Sequence, residues 1–369
     1  VLQERAAQTE ALRRVPEETI EALCWADLLR VSVPTRYGGL GLDVDVMLDV
    51  GAELGRGCGS TAWCYGIWAS CNWFVGMYPE QTQEEYWAKG INTLSAGSLN
   101  PAGATDVVGV DGGYRLSGQW DFASGCDAAT WIVVPGVGPA GPLLFLLPRS
   151  DVVIEDTWFA SGLRGTGSKD IFVQDTFVPG HRVLSMIDMQ EARTPGRLVH
   201  DTANYRFPLF SGLPFHLVAA MVGMAQGAVE SFQSSMGAKV SGPRGGQVAQ
   251  LSGVQVRIAE ATTEVRTARR IMQDEIAEVL ERARRDETAT LEERLGVRCA
   301  QAYAATLCVQ AVNRLFEGGG GHALFDRSPL QRFHRDVHAA SHHAALSRDI
   351  WSEQYGRVLL GLEPTNRRF

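Results

Sequence analysis

The amino-acid sequence predicts a mainly α chain with a central β domain. N-terminal helices cover 1–91, a small antiparallel β-barrel or sandwich covers 92–182, and a C-terminal four-helix bundle covers 183–369, led by a pocket loop at about 183–207. Three observations carry this. The apolar period is helical at first, alternates like strands from about residue 92, and is helical again from Leu217. The chain has 369 residues, enough for two or three packed units. Its 40 glycines cluster at 38–41, 55–59, 97–125, 136–141, 162–167 and 318–321, at junctions between periodic segments.

Each element has a local reason. Residues 1 to about 30 are rich in Glu, Ala, Leu and Arg at helical spacing, and Pro16 opens a second helix where its missing N–H costs nothing. Val33 to Gly41 is too rich in Gly and Pro to be helical, after which Val44–Leu54 resumes the period. Ser60–Met77, with Trp63, Trp68, Trp73 and Phe74 among small residues, reads as a helix buried on most sides; Tyr78-Pro79 ends it and Glu80–Lys89 forms another. Strands are expected at Gly113–Gly118, Trp131–Val134, Leu143–Leu147 and Asp170–Val173. The weakly periodic stretch from Pro179 to Phe207 reads as a lid or pocket wall. Helices are then expected at Leu217–Met236, Val248–Ala283, Leu291–Glu317 and Leu330–Leu360.

Composition excludes several classes. A chain that is 45% hydrophobic, with 9 Trp and 14 Phe, is not disordered. A net charge of −8 without a basic block argues against nucleic acid or an anionic membrane as partner. Gly and Pro interrupt the greasiest stretches, so no membrane span is expected. Seven cysteines, an odd number without C-x-x-C spacing, read as reduced thiols of a cytoplasmic protein, and the polar N-terminal residues are unlike a signal sequence.

Several segments together resemble the acyl-CoA dehydrogenase superfold: Pro34-Thr35-Arg36-Tyr37-Gly38-Gly39-Leu40-Gly41, Trp120-Asp121-Phe122-Ala123-Ser124-Gly125, and Glu317-Gly318-Gly319-Gly320-Gly321-His322 followed by Arg335-Asp336. Within it the chain is most similar to the flavin-dependent monooxygenase branch, the oxygenase components of two-component aromatic hydroxylases. Cys58–Trp63, Trp120–Gly125, Gly162–Asp170 and Arg335–His343 carry that likeness in order. Nine residues after Arg335, where most dehydrogenases of the superfold keep a catalytic Glu, this chain has Ala344, preceded by His342 and His343.

The resemblance implies reduced flavin (FMNH2 or FADH2) and O2, with C4a-hydroperoxyflavin chemistry that hydroxylates an aromatic or polycyclic molecule. It also implies a separate NAD(P)H:flavin reductase and a homotetramer; no G-x-G-x-x-G fingerprint follows a strand, so NAD(P)H is not expected to bind this chain. The catalytic candidates are His343, His342, Ser124 and Asn100. Ser124 is expected to donate to the flavin, and His343 to hold the peroxide or deprotonate a phenol. Asn100 occupies the early β stretch where some relatives place a His base, and it can hydrogen-bond but cannot serve as a base. Cofactor contacts are expected from Trp120, Phe122, Ser124, Gly125, Arg164, Thr166, Ser168, Gly319 and Gly320.

Plainer readings stand beside these. His334, His338 and His342 share one helical face, but no carboxylate completes a metal motif and no metal is expected. Gly162–Ser168 also reads as a tight β turn, and Gly318–Gly321 as a helix end. An acyl-CoA dehydrogenase with a relocated base, or a non-catalytic scaffold of the same fold, are the competing functions.

Overall fold

A computed structural model describes residues 1–241 and 246–366. The N-terminal region has five helices: α1 (Leu2–Leu12), α2 (Glu17–Trp25), α3 (Val44–Gly57), α4 (Gly59–Val75) and α5 (Glu80–Trp87). Along α4 nearly every side chain is buried, as a helix apolar on all faces requires. It forms the axis around which the other elements gather.

The β region holds β1 (Ser95–Gly97), β2 (Asp106–Val110), β3 (Gly113–Ala123), β4 (Trp131–Gly138), β5 (Gly141–Pro148), β6 (Val153–Glu155), β7 (Lys169–Pro179) and β8 (Val183–Ser185). They form two four-stranded sheets, ordered β1-β4-β5-β8 and β2-β3-β7-β6. The expected sandwich is therefore present, with two differences. β1 runs parallel to β4, and β8 pairs with β5, so the sheet extends past the boundary expected at residue 182. Trp120 ties the layers together: its ring is fully buried and its indole N–H on β3 donates to the Pro135 carbonyl on β4, 2.9 Å away.

The segment expected as a structureless pocket loop is built from β8, α6 (Met186–Gln190), α7 (Gly196–Val199) and a turn at Ala203–Tyr205. It rests on the C-terminal end of α4, where the Trp73 indole donates to the Asn204 carbonyl at 2.7 Å and Gly76 lies against Tyr205. Its other side lines a cleft with Arg197, Arg206, Arg282 and Arg294, each already ion-paired.

After it come α8 (Leu209–Ala238), the two-residue strands β9 (Val240–Ser241) and β10 (Gly246–Gln247), α9 (Ser252–Arg284), α10 (Leu291–Gly319), α11 (Pro329–Ser341) and α12 (Arg348–Leu359). Two expectations are corrected here. α8 begins eight residues before Leu217 because Pro214 lies inside the helix, where it forgoes one backbone bond without ending it. By length and composition alone the resulting 30-residue helix is long and apolar enough to cross a membrane, but 89% of its apolar window is buried inside this fold, as in a core helix. The single helix expected over Leu330–Leu360 is instead α11 and α12 joined by a turn. Ser341 Oγ and His342 Nδ1 both bond the His338 carbonyl at 2.8 Å, and such local side-chain bonds compete with helix continuation.

α3 and α8 cross at their glycines: a Cβ at Gly223 would overlap the Ala52 carbonyl, and one at Gly55 would strike Ala220 and Gly223. One hydrophobic core consequently runs from the N-terminal helices through the β sandwich into the bundle.

Candidate active site

The N-terminal end of α4, the end of β3 and the turn after α11 meet at one place. Trp63 on α4 donates from Nε1 to Ser124 Oγ at 3.3 Å, and the His343 ring meets the Trp63 ring edge-on with centroids 5.8 Å apart. Ser124 Oγ is 2.6 Å from Ser168 Oγ, which is 2.6 Å from Thr166 Oγ1, and Thr166 donates to the Leu163 carbonyl at 2.8 Å. Three expected residues, Ser124, Thr166 and Ser168, thus form one buried chain of hydroxyls.

The chain has a direction. Each hydroxyl owns one proton. Thr166 spends its proton on Leu163, so it accepts from Ser168, which in turn accepts from Ser124. Ser124 is left with the indole N–H on one lone pair and a second lone pair free. Within this network Ser124 Oγ keeps a lone pair with which to accept, whereas it was expected as a donor.

The turn carrying Leu163 is held from several sides. Its N–H donates to Asp336 Oδ1 at 2.6 Å, and its carbonyl also accepts from Trp158 Nε1 at 2.9 Å. Leu163 has φ 49°, a left-handed conformation that a side chain adopts only under constraint. Asp336 is buried, and desolvation pushes its pKa up to about 6 in spite of the Leu163 N–H and Arg335. Arg335 reaches Glu10 on α1 and donates to the Ser161 carbonyl at 2.9 Å. The Arg-Asp pair is therefore a clasp between α11 and the β turn.

Glycines in this turn are consumed by packing. A Cβ at Gly162 would overlap the Arg335 carbonyl, and one at Gly165 would strike Thr9 and Ser60. Gly125 commits its N–H to the Thr166 carbonyl at 2.8 Å and its carbonyl to Trp68 Nε1 at 3.1 Å. It shapes the turn and has no N–H left for a ligand.

His343 is solvent-accessible on one side. Partial desolvation by the protein behind the ring, with the Arg298 charge nearby, lowers its pKa below the ordinary histidine value. The Ala345 N–H donates to His343 Nδ1 at 3.1 Å. With Nδ1 accepting, the neutral ring carries its proton on Nε2, so His343 presents a donor. His342 is different: its Nδ1 bonds the His338 carbonyl and its ring lies exposed as the cap of α11.

The remaining expected residues are more scattered. Trp120 is sealed in the sandwich. Phe122, 55% exposed, sits at φ 66° in an irregularity where the β3–β7 ladder skips from Trp120 to Ala123. Arg164 is exposed on the turn and makes no ion pair among the described residues. Asn100 is exposed in the loop beside β3, where Pro101 bridges to Trp120. Gly319 and Gly320 lie at the opposite end of α11 from His343, about 20 Å away at 1.5 Å per residue. His334 stacks on Phe316 with centroids 4.1 Å apart and His338 bonds Asn313 at 2.7 Å, which accounts for the histidine face of α11. Sequence reasoning missed Arg298 and Gln301, joined at 2.7 Å on the buried side of α10. The available signal was polar residues recurring at helical spacing with Leu295, Ala302 and Ala305.

The acyl-CoA dehydrogenase N-terminal domain matches residues 1–94, and the C-terminal domain of that family matches residues 215–348. The chain is 35% identical to the flavin-dependent monooxygenase oxygenase subunit HsaA of Rhodococcus jostii (strain RHA1), over 99% of this chain and 97% of that protein. It is 34% identical to the FADH2-dependent resorcinol hydroxylase oxygenase component of Rhizobium sp. (strain MTP-10005), over 97% of this chain and 91% of that one. The chain belongs to the flavin-dependent monooxygenase oxygenase components. The crystal structure of the 3-HSA hydroxylase from Rhodococcus sp. RHA1 superposes with a TM-score of 0.95 at 34% identity, covering 100% of this chain and 96% of that one.

The residues present suit the flavin that such oxygenases require. Ser124 offers a free lone pair and His343 a free N–H, matching a ring system that both donates and accepts. The exposed Phe122 offers a ring face, and Arg164, without an ion pair among the described residues, offers a cation for a phosphate.

Proposed function

We propose that this oxygenase component hydroxylates an aromatic small molecule, using FADH2 made by a separate NAD(P)H-dependent reductase and O2 as co-substrate. The two relatives named above support the aromatic class, and one is FADH2-dependent by name. We also place it in the cytoplasm as a homotetramer, in keeping with the long helices of its bundle.

Reduced flavin, when bound, supplies the electrons that activate O2 for transfer of one oxygen atom to the substrate. The chain supplies the surroundings. Ser124, its own proton held by Ser168, would accept a hydrogen bond from the cofactor. His343, its Nδ1 occupied by the Ala345 N–H, would offer the Nε2 proton without giving it up. Trp63 keeps the two at a fixed separation and, with Phe122, sheds water from the ring faces. Arg164 takes a phosphate, and Thr166, Ser168 and Gly125 hold the turn in shape.

The observation that carries this reading is the continuous path from His343 through Trp63 and Ser124 to Ser168 and Thr166. The test is isotopic. Protein, a flavin reductase and NADH are incubated with a panel of phenols under 18O2, and products are weighed by mass spectrometry. Incorporation of a single labelled atom that disappears in Ser124→Ala and His343→Ala variants is expected. Absence of label from every phenol, with reduced flavin bound, sinks the proposal.

A further inference from the structure

A cleft of about 40 Å3 separates the 183–207 segment from the end of the α9–α10 hairpin. Glu191, Ala192 and Arg197 stand on one wall, Asp286 and Arg294 on the other, and the buried Ser211 and Val297 form the floor. Two ion pairs cross it. Arg197 Nη2 bonds Asp286, just past the end of α9, while its Nη1 donates to the Ala192 carbonyl at 3.1 Å. Arg294 reaches Glu191 and the Gln190 carbonyl, both at 3.4 Å. Arg206 and Arg282, the other guanidiniums of the cleft, pair within their own walls, with Asp201 and Glu293, and do not span it.

The wall that the crossing pairs hold is poorly satisfied by itself. α6 buries only Met189. Ala192 has φ 50°, the left-handed position that usually falls to glycine at a helix end. On either side of it, Gln190 Oε1 and Thr194 Oγ1 are buried without a partner among the described residues. Strain of this kind persists only where neighbouring contacts hold it, and ion pairs open to solvent are weak holders. The flanks are firmer. Val183–Ser185 pairs with β5, and Gly196 packs on the Gly76 carbonyl and donates its N–H to the Met77 carbonyl at 2.9 Å. Movement is thereby confined to residues 186–195. What they cover is connected to the site: Gln301 donates to the Ser211 carbonyl at 3.1 Å and accepts from Arg298, which holds the Ala345 carbonyl at 3.1 Å. Two side chains, Gln301 and Arg298, thus join the cleft floor to the turn that carries His343.

We propose that residues 186–195 are a salt-clipped lid: when Arg197–Asp286 and Arg294–Glu191 part, the segment lifts between its two fixed ends and opens the floor at Ser211 and Val297 to small molecules. The inference does not depend on which substrate the enzyme hydroxylates. Each clip has a carboxylate open to solvent, so screening by salt shifts the balance toward the open form.

The test places a thiol on the floor with Val297→Cys and follows its labelling by N-ethylmaleimide, mapped by mass spectrometry. The native Cys299, on the opposite side of α10, is the reference. Labelling at position 297 is expected to rise on the order of fivefold between low and high potassium chloride, while Cys299 keeps its rate. Adding Asp286→Asn and Glu191→Gln is expected to give the fast rate at low salt and to abolish the salt dependence. Arg270→Gln, which breaks an exposed ion pair elsewhere on α9, leaves the rate as it was. Circular dichroism checks that each variant folds; should Val297→Cys not fold, trypsin cleavage at Arg193 in the parent and in Asp286→Asn decides the question in the same way. Labelling or cleavage that ignores salt, that is unchanged when the clips are removed, or that rises together with Cys299 overturns the proposal.

Discussion

Ser168 is buried between two other hydroxyls, Ser124 and Thr166. Removing its hydroxyl in Ser168→Ala frees the Ser124 proton to rotate and strips Thr166 of its donor. The expected costs are about 1 kcal/mol of stability for the lost bonds and weaker binding of reduced flavin, read by anaerobic fluorescence titration. Unchanged binding would mean that the direction of the chain is irrelevant. For His343, 15N correlation spectra of the imidazole are expected to show the proton on Nε2 and a ring that stays neutral from pH 8 down to 6, because its pKa is lowered. An Nδ1–H signal would contradict the geometry. At this scale motif order picked out Ser124, Thr166, Ser168 and His343, which the fold brings to one place. It could not reveal polarity, since Ala345 reads as filler until its N–H is seen on His343.

At the scale of elements, α11 and the β turn are held by Asp336. Its folded pKa, about 6, lies above the ordinary value of 3.8, so the folded state binds more protons between those values. Its contribution to stability therefore falls as pH rises through that window. Asp336→Asn keeps an acceptor for the Leu163 N–H and removes the buried charge. The melting-temperature advantage of the variant over the parent is expected to grow between about pH 4 and pH 6 and level off above. A difference that stays constant with pH would show that the carboxyl does not titrate as described. Gly162→Ala should cost about 1–3 kcal/mol in denaturant unfolding, because a Cβ overlaps the Arg335 carbonyl. The strands β3, β4, β5 and β7 and most helix limits were legible from periodicity, whereas β2 and the short strands β1, β6 and β8 were not. The break at His342 was not, since it depends on two side chains that capture one carbonyl, and neither is Gly or Pro.

Across the whole molecule, the main core, continuous from the N-terminal helices to the bundle, predicts one transition. Calorimetry is expected to give a single unfolding event, and Gly223→Ala, which forces α3 and α8 apart, should lower the whole transition by about 1–3 kcal/mol without splitting it. Two separable transitions would contradict a shared core. The segment at 183–207 shows why domain order was easier to read than the site. Weak periodicity marked it as unusual, but its docking on Trp73 and Gly76 puts it about 15 Å along α4 from Trp63, a separation set by a helix rise and hidden in the linear string.

The glycine crossing of α3 and α8 also bears on descent. Gly55 and Gly223 lie far apart in the chain yet each leaves room for the other's backbone, so a gene exchange that replaces one without the other inherits a mismatch at the centre of the protein. Breakpoints in the Asp111–Gly112 hairpin tip join segments along an exposed edge and still divide those two partners between parents. Chimeras of this oxygenase with its relatives should survive only where both parents carry small residues at both positions, which makes the pair a marker for choosing compatible parents.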